Sequence, residues 1–213
     1  MNMYIAKMTD QKWMKKVLVA ALLTALGGVA YYAYQWYHMQ QGYAAQKLLG
    51  DCLDEYHKAQ YDSAAWPDVQ MMSELAHTMR GNTSLAPFFL AIQAQAQAKQ
   101  GDIQQAVTLM EQAVAGLPSD SPYRSLYAIS AALIALDAEN KELQEKGIAD
   151  LNVLAQDEQN IYRDSALYHL GEWYMFNDDI EQAQHYWHAL TQHAAQFEDS
   201  PWLARAQERL SAL

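Results

Sequence analysis

The sequence predicts an all-α fold, an N-terminal transmembrane helix followed by an array of helical hairpins, and three observations lead there. Helix formers dominate, with Ala and Gln abundant against nine Gly and five Pro in 213 residues. The five Pro, with Gly81 and Gly101, fall between stretches of helical periodicity. Two stretches also share one pattern at an offset of 77 residues, AKQGDIQQA at 98–106 and MFNDDIEQA at 175–183.

Half of the residues are hydrophobic (51%) and 18% are charged, so the chain can build a core and is not of disordered composition. The net charge of −11 is unevenly spread. Residues 1–16 hold Lys7, Lys12, Lys15 and Lys16 against Asp10, or +3; the remainder holds 10 bases and 24 acids, or −14. So acidic a domain repels phosphate backbones, which argues against nucleic acid as a partner. It also disfavours anionic lipid, leaving the N-terminus as the membrane contact. Cys52 is the single cysteine, so no internal disulfide forms and the thiol reads as a small apolar residue on a helix face.

Residues 1–16 form a short basic segment, and 17–37 (VLVAALLTALGGVAYYAYQWY) carry no charge. As a helix these residues span about 31 Å, the thickness of a bilayer core. Lys15 and Lys16 place the preceding end in the cytoplasm, and Tyr31, Tyr32, Tyr34, Trp36 and Tyr37 suit the far headgroup region. The acidic domain then lies across the membrane, in the periplasm if the source is a Gram-negative bacterium. A cleaved signal peptide ending at Gly28-Val29-Ala30 competes with this reading. Apolar and aromatic character continues for seven residues past Ala30, however, and a large aromatic would follow the cut. Ala20, Thr24 and Gly28 recur every four residues, a small-residue strip of the kind that packs against a second membrane helix.

Residues 38–85 read as a helical linker and first hairpin. A helix over 42–60 puts Leu48, Cys52 or Leu53, and Tyr56 on one face. Pro67 opens another helix in its first turn, and Gly81-Asn82 close it near Arg80. Pro87, Pro118 and the run Ser119-Asp120-Ser121-Pro122 mark further breaks. Residues 86–199 then hold about three degenerate repeats, the middle one at 123–157 with its insertion near 137–146. Ser200-Pro201 starts a final helix over 200–213, whose Leu203, Ala206, Leu210 and Leu213 cap the array.

These repeats resemble the tetratricopeptide motif, which places small or aromatic residues where its two helices cross. Leu167, Leu170, Gly171, Tyr174, Ala183 and Trp187 fit its spacing in the last copy. Leu90, Ala94, Ala106, Met110, Ala113 and Pro118 fit it in the first, with departures at Gln93 and Gln97. In the middle copy the best anchors are Ala131, Ala149 and Val153. As a whole, a basic N-terminus, one membrane helix, a helical linker and three degenerate repeats resemble the ancillary subunit of the bacterial SecYEG translocon. That resemblance implies a periplasmic repeat domain contacting translocon subunits and a membrane-anchored chaperone related to prolyl isomerases.

No catalytic, cofactor or metal site is expected. His185, His188, His193 and His169 lack the spacing of a zinc site, with no HExxH and no CxxC. A GxSxG elbow and a phosphate loop are missing as well. The expected site is instead a protein-binding groove lined by the first helix of each repeat. The register assigns to it Phe88, Ala91 and Gln95, then Ser125, Ala128 and Ala132, then Ser165, Tyr168, Glu172, Met175 and Phe176. Phe88 and Tyr168 also suit inter-repeat core. With little positive charge, the groove suits apolar or basic protein segments. The function expected is tethering of chaperones or clients beside the translocation machinery; the alternative is a fixed accessory subunit of another membrane complex.

Overall fold

The computed structural model describes the backbone of residues 2–194 and 200–213 and the side chains of 23–193 and 200–213. Every regular element among them is helical. Packing divides the chain into two units, Met1–Lys47 and Leu48–Leu213.

The first unit is part of α1 (Asn2–Tyr61). Its large side chains Leu23, Leu26, Val29, Tyr31, Tyr32, Tyr34, Trp36 and Tyr37 are all exposed, on every side of the helix. Among the described residues no helix is long and apolar enough to cross a membrane. The first six residues of the expected span 17–37, Ala20 among them, lie outside the described side chains.

The second unit begins with the last turns of α1. Asp62 accepts a hydrogen bond from the Ala64 amide (3.1 Å) and starts a short 3₁₀ turn at Ser63–Ala65, which reverses the chain into α2 (Trp66–Arg80). There follow α3 (Ala86–Lys99), α4 (Ile103–Gly116), α5 (Pro122–Leu136), α6 (Lys141–Gln156), α7 (Arg163–Phe176), α8 (Ile180–Ala194) and α9 (Pro201–Ser211). From α2 onward the closest helix packing is between sequence neighbours, with lesser approaches of α5 to α7 and of α7 to α9. That nearest-neighbour pattern is helical-repeat-like, since each hairpin buries its apolar face only by stacking on the next.

The α3–α4 and α7–α8 turns are built alike, atom for atom at the 77-residue offset. The amide of Asp102 donates to the Gln97 carbonyl at 3.0 Å, and that of Asp179 to the Tyr174 carbonyl at 2.9 Å. Each aspartate then caps the following helix, accepting from Gln105 and Gln182 amides at 3.1 Å. The residue before each aspartate is left-handed: Gly101 at φ 90° and Asp178 at φ 61°.

Small residues let the helices of each hairpin approach. A side chain at Gly171 would meet the fully buried Trp187 ring at 2.3 Å, and one at Gly147 would meet the Ala132 carbonyl at 2.7 Å. The middle copy is where the sequence reading slips. Ala149 and Val153 are exposed on α6, and the buried positions are Gly147, Leu151 and Ala155, two residues out of step. On a helix two residues is a rotation of about 200°, enough to turn the assigned face outward.

Three apolar clusters run along the unit. Cys52, Ala59, Trp66, Val69, Phe89 and Ile92 join α1, α2 and α3. Ala94, Ala106, Met110, Ala113 and Ala135 join α3, α4 and α5. Leu136, Leu151, Leu167, Leu170, Trp187, Leu190 and Ala206 join α5 to α9. Each large side chain there stabilises the fold by about 1.5–3 kcal/mol.

Candidate protein-binding surface

Phe88 on α3 is half-buried against two tyrosines of α5, with ring centroids 5.4 Å from Tyr123 and 6.0 Å from Tyr127, both edge-on. Pro122 starts α5 and so sets Tyr123 and Tyr127 one turn apart on the same side. Beside this cluster, Leu53 and Tyr56 of α1, Gln95 of α3, and Tyr127 and Ser130 of α5 line a recess of about 130 Å³. Among the described residues no charged side chain lines it. Burial, with Tyr123 adding to it, pushes the Tyr127 hydroxyl up to about 12, so at neutral pH it remains a hydrogen-bond donor.

The residues assigned to the groove do not share one face. Ala91 lines the recess but is itself only 5% exposed, while Gln95 is half-buried at its edge. On α5 the three assigned residues part company. Ser125 is half-buried and Ala132 is fully buried in the cluster with α7. Ala128 lies in a different cleft, between α4 and α6, with Val114, Ala131, Lys146 and Val153. Lys146 bridges that cleft by pairing with Glu111 and with Asp150, the latter at 2.9 Å. Shifts of one or two residues explain this placement: Tyr123, Tyr127 and Ser130 turn toward α3, and each residue of offset rotates a side chain by about 100°. The signal that could have found them was the aromatic pair itself, four residues apart after a helix-opening Pro.

In the last copy α9 covers part of the expected surface. Ser165 and Tyr168 are buried, and the Tyr168 ring lies 4.9 Å from that of Trp202. Glu172 is held by the Arg209 guanidinium at 2.8 Å. Met175 is at the margin of exposure, and Phe176, 83% exposed, stands clear of the core at the end of α7.

On α1, Gly28 lies on an exposed face with Ala25, Val29, Tyr32, Ala33 and Trp36, and nothing occupies the space where its side chain would be. Thr24 precedes it by one turn, and Ala20 falls outside the described side chains.

The histidines are dispersed. His185 and His188 are exposed, and His193 Nδ1 lies 2.7 Å from an Asp164 oxygen. His169 packs beside Trp202 at 5.2 Å; burial holds its pKa below the usual value, and Arg205 opposes its protonation too, against the pull of Glu172. Among the described residues no three His, Cys, Asp or Glu side chains group closely enough to hold a metal ion. No model of a known protein family matches the chain, and no curated protein matches it.

Proposed function

We propose that this chain is a membrane-anchored protein–protein interaction module of tetratricopeptide-like architecture. It holds a partner segment on the face formed by the end of α1, α3 and α5. The observation that carries this reading is the open aromatic cluster Phe88–Tyr123–Tyr127 beside an uncharged recess, on a stack of hairpins. Tyr123 remains 47% exposed although its ring packs against two others, as an anchor awaiting a further apolar surface does. The exposed Leu, Tyr and Trp side chains of α1 support anchoring through residues 17–37.

In this reading the N-terminus is cytoplasmic and the repeats are periplasmic at a bacterial inner membrane. The protein tethers chaperones or clients beside the translocation machinery, as its resemblance to the ancillary SecYEG subunit implies. It performs no catalysis and needs no cofactor. A second reading, a fixed accessory subunit of another membrane complex, is favoured by one observation. Met71, Leu75 and Met79 form an exposed stripe at four-residue spacing on α2.

Purification from native membranes in mild detergent, with mass spectrometry of what accompanies the protein, separates the two. Translocon subunits and a periplasmic chaperone, lost on Tyr123→Ala, are expected for the tethering module. A different complex in fixed ratio, unaffected by Tyr123→Ala and dispersed by Leu75→Asp, would replace it with the second reading.

A further inference from the structure

A cavity of about 560 Å³ lies where the α6–α7 connection, the start of α7, the end of α8 and the start of α9 meet. The sequence builds one wall locally. Asn160, buried, donates to the Leu154 carbonyl (2.9 Å) and accepts from the Tyr162 amide (3.0 Å), so the connection folds back over the end of α6. That fold turns Ile161 outward, 73% exposed, and the exposed Glu158 lines the same cavity. Pro201 and Trp202 supply the apolar side opposite.

The polar groups facing this space are under-used. Asp164 gives one oxygen to His193, and its other oxygen takes no hydrogen bond among the described residues. The Ser165 hydroxyl also has no partner there. Ser200 stands at the N-cap position of α9, yet its hydroxyl makes no capping bond and is buried unpaired. Among the described residues no Lys or Arg lines the cavity, and His193 is the only base that does.

From this arrangement we propose that the cavity is a second docking site, which takes a lysine or arginine side chain of a partner protein. The inference rests on the reading of the chain as an interaction module. An aliphatic stem matches the wall of Ile161, Tyr162, Pro201 and Trp202. The charged head then supplies donors to Asp164, Ser165, Ser200 and Glu158. An anion would face two carboxylates, and a wholly apolar side chain would leave every one of these groups unpaired. The Trp202 ring is already engaged by Arg205, 5.1 Å from its centroid, and serves as a wall rather than as a cation partner. The surrounding unit, with 9 bases against 24 acids over residues 48–213, draws a basic segment toward it.

The test uses the full chain in detergent micelles, with binding followed by ligand-observed NMR. The probes are acetyl-Ala-Arg-Leu-Ala-amide and the same peptide carrying citrulline, which keeps the shape of arginine without its charge. The arginine peptide is expected to bind about tenfold more tightly. Glu158→Gln, on an exposed connection, is expected to remove a large part of that preference, and Glu158→Gln with Asp164→Asn nearly all of it, in protein whose helical circular dichroism is unchanged. Equal binding of the two peptides, or a preference untouched in the double variant, overturns the proposal. So does acetyl-arginine-amide binding as tightly as the peptide, which would make this a small-molecule site. Tyr123→Ala is expected to leave the arginine preference intact. Failure of the wild-type protein to capture a partner, with the arginine preference present, therefore faults the interaction module at its recess and not this cavity.

Discussion

A side chain at Gly171 has nowhere to go: its Cβ would stand 2.3 Å from the Trp187 indole, which is fully buried and cannot swing away. Gly171→Ala is therefore expected to lower stability by about 3 kcal/mol, read as a fall in the urea midpoint. Asp178 is the opposite case. It holds the left-handed position that Gly101 fills in the equivalent turn, so Asp178→Gly is expected to raise stability by about 0.5–1 kcal/mol. A decrease would mean that the aspartate side chain contributes more there than its backbone costs. Cys52 links residue chemistry to pH. Burial first, and Asp51 second, push its thiol from 9.0 up to about 11. The folded state thus keeps a proton that the unfolded chain releases earlier. The associated stability is fully present below pH 9 and is lost as pH rises toward 11. The urea midpoint should fall over that window more steeply in the wild type than in Cys52→Ala, and equal slopes would exclude Cys52 as the cause.

At the scale of elements, much was legible. The breakers Pro67, Gly81, Pro87, Pro122 and Pro201 punctuate the helices where the sequence put them, because a Pro in the first turn and a Gly after the last act locally. The 77-residue repeat announced two turns that share their hydrogen bonds. What failed was rotation about the helix axis. In α5 and α6 the spacing of Ala and Leu is compatible with several faces, and tertiary contact with α3 and α7 selects among them. Hence Ala132 is core and Tyr127 lines the recess. The covering of Tyr168 by α9 is likewise invisible to a single-repeat register, since it depends on how the last helix docks. Trp202→Ala, which removes that cover, is expected to cost about 2–3 kcal/mol. Arg209→Ala, breaking a half-exposed ion pair, is expected to cost under about 1 kcal/mol. The thermal transition midpoints of the two variants rank these effects, and a larger loss from Arg209→Ala would mean that α9 is held by charge rather than by packing.

At the scale of the whole molecule, the proposed module has an exposed apolar helix and a repeat unit with an aromatic-edged recess that no charged side chain among the described residues lines. Photocrosslinking in the native membrane tests it most directly, with p-benzoylphenylalanine placed in turn at Tyr123, beside the recess, and at Gln112, exposed on α4. A single membrane-associated protein captured from position 123 and absent from position 112 is the result predicted. No adduct from position 123, or the same adducts from both positions, would contradict a partner held on the face of α1, α3 and α5.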